Sequence, residues 1–268
     1  MSNPIPLDDQ VIWLTGASSG IGEALTDALA PRCRALFISA RSEDKLKPLA
    51  ARHDNVIIAT ADITDEESLH KVAEFIDEKY GHLDTVIANA GTCEYVDVTD
   101  FDAALFRRVI DTNVMGLVNT TAAALPLLRK SERGYLVGVG SSVSMLAMPR
   151  AQAYGASKAA VAHFLESMKA DLTAMNIDVS IVSPGFVKTP LTDVNDFPMP
   201  MRISAEKAAD AIIDGIEKRH WHIHFPKTFT RILWFIGQLP AFLRHRITAS
   251  MSRTDEALKQ RHAQESDS

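Results

Sequence analysis

Residues 10–30 read QVIWLTGASSGIGEALTDALA, and the change of pattern inside this stretch decides the fold. Residues 11–14 are apolar without a break, which suits a strand buried on both faces. From Ile21 onward apolar residues recur at Leu25 and Leu29, the spacing of one helix face, until Pro31 stops them. Between the two lies a glycine-rich turn, 15–22 (TGASSGIG). Its glycines let the backbone turn tightly, approach a phosphate closely and pack the helix on the strand. The helix N-terminus adds free N–H groups and the positive end of its dipole. A lone glycine turn is more often a turn without a ligand. Strand, turn and helix in this order predict a dinucleotide-binding crevice.

The same alternation runs outward along the chain. Apolar runs at 34–39, 56–60, 85–88, 135–139, 178–182 and 221–225 read as further strands. Helical spacing fills 43–52, 66–80, 102–111, 114–130, 153–175 and 205–218, with Gly81 as a C-cap. Strands separated by helices of ten or more residues predict an α/β fold, a doubly wound parallel seven-stranded sheet with helices on both faces. The 268 residues are 46% hydrophobic and 23% charged, enough to bury one large core, so residues 1–225 read as one domain. A net charge of −6 argues against a dedicated nucleic-acid binder, which needs an excess of Lys and Arg. Cys33 and Cys93 stand far apart with no metal-ligand spacing, so no disulfide and no metal site is expected and a reducing, cytoplasmic compartment fits. Residues 1–10 lack a basic, apolar leader pattern, and no run reaches the length of a spanning helix; the chain is read as starting directly into its fold.

The turn has Gly-x-x-x-Gly-x-Gly spacing at Gly16, Gly20 and Gly22, and other short motifs follow in order: Asn89-Ala90-Gly91, Asn113, Ser141, Tyr154-x-x-x-Lys158, and Pro184-Gly185 with Thr189. In this set and order, over about residues 8–225, the chain resembles the short-chain dehydrogenase/reductase family, which has the Rossmann fold. The resemblance implies a nicotinamide cofactor held by Gly16, Ser18, Ser19, Gly20, Ile21 and Gly22 at the pyrophosphate. It implies Asp62 and Ile63 beside the adenine and Asn89, Ala90 and Gly91 along the crevice. Pro184, Gly185, Val187 and Thr189 fall near the carboxamide, and Tyr154 and Lys158 touch the cofactor as well. NAD-preferring sites carry a carboxylate after the second strand for the ribose 2′-hydroxyl. Here that stretch is Ser39-Ala40-Arg41-Ser42, with no acid and with a guanidinium suited to a 2′-phosphate. NADP is therefore expected over NAD, against the plainer reading of Arg41 as a solvated loop residue.

Tyr154 and Lys158 are four apart on one helix and project from the same face. A lysine ammonium beside the phenol, with the oxidised nicotinamide, is expected to lower its pKa into working range. The resemblance implies Tyr154 as acid/base, Ser141 as holder of the carbonyl oxygen and Asn113 as support of a proton relay, with pro-S hydride delivery. Ser142 is the neighbouring alternative to Ser141. The expected reaction is hydride transfer between NADPH and a carbonyl or secondary alcohol, with reduction favoured. A non-catalytic NADP-binding regulator is the reading from another class, and it has no need of all four residues.

Other features are read more plainly. His220, His222 and His224 alternate along the last strand and are taken as lining an edge or an interface rather than a metal. Met145, Met148, Met199 and Met201 sit in loops after Ser141 and Thr189 that border the substrate in this family, and suggest an apolar pocket. Residues 190–204 read as a mobile surface loop. Residues 226–253 form an appended amphipathic segment with five basic residues and no acid, broken by Gly237 and Pro240. Its apolar side is expected to pack on the body, the loop or a second subunit, with weak membrane-surface association of a lipid-metabolising enzyme as the alternative. Residues 254–268 are expected to be a flexible tail. The resemblance favours a homodimer or homotetramer through 114–130 and 153–175.

Overall fold

Successive side chains of a strand point to opposite faces, and in the first two strands both faces are apolar. The computed structural model describes residues 4–252 and Thr254, and it puts that alternation to use. Strands β1 (Val11–Thr15) and β2 (Ala35–Ser39) send Ile12, Leu14, Leu36 and Ile38 into one layer and Val11, Trp13, Ala35 and Phe37 into the other. With β3 (Val56–Ile58), β4 (Thr85–Ala88), β5 (Gly134–Val139), β6 (Ile177–Pro184) and β7 (His222–Phe225) they form one parallel sheet, in the order β3-β2-β1-β4-β5-β6-β7.

Helices α1 (Gly20–Leu29), α2 (Glu43–Ala50) and α8 (Ala205–Glu217) close one layer through Leu25, Leu29, Leu46, Leu49, Ile212 and Ile216. The other is closed by α3 (Glu66–Tyr80), α5 (Gly116–Leu128) and α6 (Gln152–Leu172), through Leu69, Ile76, Leu117, Leu127, Val161 and Leu165. Each fully buried side chain of this size contributes about 1.5–3 kcal/mol. Helix ends follow local chemistry: the Asp65 carboxylate accepts from the Glu67 N–H at the start of α3, and Gly81 ends that helix at a φ of 73°.

Strand order reverses between β1 and β4, so their C-terminal ends diverge into a crevice. The glycine turn closes on this point. A Cβ on Gly16 would stand 2.6 Å from the Ala90 Cα, and one on Gly22 only 2.1 Å from the Gly16 carbonyl oxygen.

The structure departs from the sequence reading in three places. The helices expected at 102–111 and 114–130 are continuous: α4 (Ala103–Ile110) runs into α5 through one π turn, Asp111–Met115. Asn113 therefore lies inside a helix rather than opening one. No side-chain pattern marks such a turn, because all its backbone groups remain bonded. Residues 190–204 carry structure of their own: α7 (Pro190–Asp193) starts the loop, and Ile203 returns to bridge Val187, with the Lys188 N–H donating to the Ile203 carbonyl at 2.8 Å. The appended segment, by contrast, is two helices, α9 (Lys227–Gly237) and α10 (Ala241–Ala249), parted at the same Gly237 and Pro240 that break its sequence. Strand β3 ends at Ile58, two residues early. The tail expected at 254–268 lies, Thr254 apart, outside the described residues.

Gly22→Ala tests the close approach. Although alanine favours a helix, the Cβ must displace the backbone of the turn, and overpacking of this kind costs about 1–3 kcal/mol. Thermal unfolding of the variant is expected to show a clear fall in Tm; an unchanged Tm would mean that the turn is not held against α1.

Candidate active site

The crevice opens into a cavity of about 790 Å³ along the C-terminal ends of β1, β2, β4, β5 and β6. Every candidate catalytic and cofactor-binding residue lines it except Asn113, and none of Met145, Met148, Met199 and Met201, expected at an apolar pocket, does. At one end are the glycine turn and Arg41; at the other are Ser141, Tyr154 and Lys158. Of the two candidate serines, Ser141 lines the cavity and Ser142 does not.

Several of these residues brace the site rather than face into it. Asn89 donates through Nδ2 to the carbonyls of Thr15 (3.0 Å) and Gly16 (3.2 Å), tying the end of β4 to the turn. The Thr15 hydroxyl accepts in return from the N–H groups of Asn89 and Ala90. Asn113 is buried in the π turn with its amide fully used. Its Oδ1 accepts from the Thr92 N–H at 2.7 Å, while Nδ2 donates to the Thr92 carbonyl and the Ser157 hydroxyl, both at 2.9 Å. Asn113 thus clamps the loop after Gly91 onto α6. Asp62 turns Oδ1 to the N–H and hydroxyl of Thr64, a local turn that fixes the strand end beside Ile63.

Two glycines set the depth of α6. A Cβ on Gly138 would meet the Leu165 side chain at 2.5 Å, so α6 lies close on β5 because Gly138 has none. That approach carries Lys158 to the end of β5, where its Nζ donates to the Val139 carbonyl at 2.9 Å. The ammonium stands 5.9 Å from the centre of the Tyr154 ring. Gly91 leaves room beside it, as a Cβ there would come within 3.4 Å of Nζ.

The electrostatics differ from the sequence expectation. Burial pushes the Tyr154 phenol above its ordinary range, Cys93 adds to the rise, and a hydrogen bond with Ser141 opposes it. Burial also lowers the Lys158 ammonium to about 8, against a smaller opposing effect of Cys93. Desolvation outweighs the neighbours because neither group has a buried carboxylate as partner. The protein alone therefore holds Tyr154 as a neutral acid.

An aromatic wall outside the cavity lining escaped the sequence reading. Tyr95, Phe197, Phe186 and Phe229 come from four separate segments, with successive ring centres 5.5, 6.1 and 5.3 Å apart. No local spacing relates them. Lys45, which lines the cavity near Arg41, is a second cation that was missed, although it sits four residues on at the start of α2. Of the methionines, Met145 and Met148 pack with Leu146 and Phe186 against Phe229 and Leu233 of α9. Met199 accepts from Asn195 Nδ2 at 3.3 Å, and Met201 is exposed. His222 and His224 lie side by side on the edge strand, bonded to Ser183 (2.8 Å) and Thr230 (2.7 Å); His220 precedes the strand.

Comparison with known proteins bears on this geometry. The family model for short chain dehydrogenases matches residues 10–197. The chain belongs to that family. As a short-chain dehydrogenase it is a nicotinamide-dependent oxidoreductase, and its relatives include 11-beta-hydroxysteroid dehydrogenase 1A of Arabidopsis thaliana, 33% identical over 250 residues covering 84% of this chain and 71% of that protein. Among solved structures, a short chain dehydrogenase from Burkholderia cenocepacia J2315 in complex with NADP superposes with a TM-score of 0.79 at 24% identity, over 92% of this chain and 99% of that one. A family member from Burkholderia phymatum in complex with NAD gives 0.78 at 22%, over 85% and 93%. Such likeness speaks for the fold, and the fold accommodates either dinucleotide in those proteins. What distinguishes this short-chain dehydrogenase must lie in its own side chains.

The buried lysine gives a signed test. Its pKa of about 8 in the folded protein lies below its ordinary 10.5, so between those values the unfolded chain binds a proton that the folded chain has released. Stability from this group therefore rises with pH across the window, by on the order of 3 kcal/mol. Denaturant unfolding of wild type and Lys158→Met from pH 7 to pH 10.5 (about the ordinary lysine value) should show this rise in the wild type only. Parallel curves would mean that Lys158 is not a buried cation.

Proposed function

We propose that the protein is an NADP(H)-dependent carbonyl reductase or alcohol dehydrogenase for a hydrophobic substrate. One observation carries the reading: a single cavity has Ser141, Tyr154 and Lys158 at one end, and at the other a glycine cradle with Arg41 and Lys45 and no acid at position 40. The cradle fits a dinucleotide. Gly20 takes a φ of 58°, and side chains at Gly16, Gly20 or Gly22 would fill the space against Ala90, Thr189 and the turn itself. Ser18, Ser19 and Ile21 complete the pyrophosphate contact at the start of α1. Arg41 and Lys45 would take the 2′-phosphate, Asp62 and Ile63 the adenine side, and Asn89, Ala90 and Gly91 the middle of the crevice. Pro184, Gly185, Val187 and Thr189 would border the carboxamide.

Bound there, the nicotinamide supplies or accepts the hydride. The residues of the chain handle the oxygen. Ser141 donates a hydrogen bond to the carbonyl, and Tyr154, neutral because it is buried, gives its proton to the oxygen as negative charge develops. In the reverse direction the same phenol takes the proton from the alcohol. Lys158 places a positive charge near the ring at neutral pH and so eases loss of that proton. Asn113 acts through position, holding Thr92 and Ser157 so that α6 presents Tyr154 and Lys158 correctly. The aromatic wall of Tyr95, Phe197 and Phe186 lies outside the cavity lining, with Tyr95 close enough to Tyr154 to feel its charge, and on that nearness we base the apolar substrate.

We take residues 1–225 as the catalytic domain, assembled as a homodimer or homotetramer through α5 and α6. Two free thiols suit a reducing, cytoplasmic setting; burial pushes Cys33 up to about 12 and Cys93 to about 11.

Fluorescence titration with NADPH and NADH tests the cofactor. NADPH is expected to bind far tighter, and Arg41→Ala to weaken NADPH by about tenfold or more, the size of one charge-assisted hydrogen bond, while leaving NADH unchanged. Equal or tighter NADH binding would overturn the choice of NADP. For the chemistry, Tyr154→Phe should lower NADPH-linked carbonyl reduction by about 10²–10⁴-fold while its affinity for NADPH stays near that of the wild type. A variant that retains its rate would remove Tyr154 from the mechanism.

A further inference from the structure

Helices α9 and α10 bury little of their apolar surface. In α9, Phe229 and Leu233 pack on Leu146, but Ile232, Trp234 and Phe235 face outward, the last two 57% and 63% exposed. In α10 no residue is buried, and Phe242 is 72% exposed next to Leu243. Leaving several large apolar side chains in water within some twenty residues of sequence is costly, and such clusters mark a contact surface.

Charge indicates what that contact is. Lys227, Arg231, Arg244 and Arg246 lie in the same two helices with His245, and no Asp or Glu occurs between Pro226 and Thr254, whereas the whole chain carries −6. Among the described residues none of these four cations is in an ion pair; Arg244 donates to the Gly237 carbonyl within the segment. Around α9, Lys227 and Arg231 alternate with Trp234 and Phe235 on the outward side. Long basic side chains can reach up from such a face while aromatic rings point away from the body. A second copy meeting this face symmetrically would set cations against cations. A surface of anionic headgroups over acyl chains satisfies both the charges and the rings.

We infer that the outward face of α9 and α10 docks on an anionic lipid surface. Its position gives that docking a consequence. Gly237 lies against the Met145 carbonyl, where a Cβ would come within 2.1 Å, and Phe229 packs on Phe186. The docking helix is therefore fixed to the loop after Ser141 and to the loop after Gly185, both of which follow residues that line the cavity. Docking stands independently of the proposed reaction, whereas delivery of a lipophilic carbonyl from the bilayer rests on it.

Sedimentation of the full chain with vesicles tests the inference. One set is phosphatidylcholine alone, and the other contains about 30 mol% phosphatidylserine. The protein should partition to the anionic vesicles about tenfold better, and lose this in about 0.5 M salt, where screening is short-ranged. Trp234→Ser with Phe235→Ser, and separately Arg231→Glu with Arg244→Glu, should each reduce binding about tenfold. NADPH titration and Tm serve as folding controls, since all four side chains lie outside the cavity. Wild type that stays in the supernatant with both vesicles, or variants that bind as wild type does, would overturn the inference. So would light scattering that shows the Trp234/Phe235 variant to break an assembly while no vesicle binding is seen, since the face would then join copies of the chain. Loss of reductase activity with vesicle binding intact would count against the proposed function alone.

Discussion

The Gly16 carbonyl oxygen is held on two sides. It lies 2.1 Å from the point a Gly22 Cβ would occupy, and it accepts from Asn89 Nδ2 at 3.2 Å. Through it the first helix, the glycine turn and the end of β4 become one unit at the place where strand order reverses. The rest of the crevice depends on this constraint. With a side chain at 16 or 22 the turn would lift away from Ala90, and the free N–H groups of α1 would no longer face the cavity. The two ends of the cavity are thus built on one rigid sheet, with the turn after β1, Ser141 after β5, and Tyr154 and Lys158 on the helix pressed against it.

At the other end the controlling effect is desolvation. Gly138 lets α6 lie close to β5, and this buries Lys158 with Tyr154 partly buried beside it. Burial drives their pKa values apart, raising the phenol and lowering the ammonium, because each group is pushed toward its neutral form. The phenol is thereby kept protonated, and its loss of a proton depends on positive charge brought near it. The cost is a buried cation whose protein partner is a single carbonyl, that of Val139. The π turn belongs to the same design, because it turns Asn113 inward to clamp the loop after Gly91 without interrupting the helix.

The C-terminal helices extend this plan. Phe229 and Leu233 cover the loops after Ser141 and Gly185, and the aromatic wall runs from Tyr95 through Phe197 and Phe186 to Phe229. Residues from beyond the sheet therefore brace the loops that follow Ser141 and Gly185, while their outward side chains remain exposed.

Where physical constraint is local, the sequence alone was sufficient. Alternating apolar layers, glycine positions and caps such as Gly81 depend on neighbours a few residues away, so the seven strands, the crevice and the glycine turn beside it were legible from residues 10–30 outward, whereas Lys45 on its lining was not. The four-residue spacing of Tyr154 and Lys158 placed both on one face for the same reason. Tertiary structure decided what depends on distant segments meeting. The π turn has no side-chain signature. The aromatic wall joins positions 95, 186, 197 and 229, which no periodicity relates. Whether Trp234 and Phe235 face protein or solvent was settled by which side of α9 found Leu146. The protonation of Tyr154 followed from burial, a property of the whole packed interior that no pair of residues four apart can express.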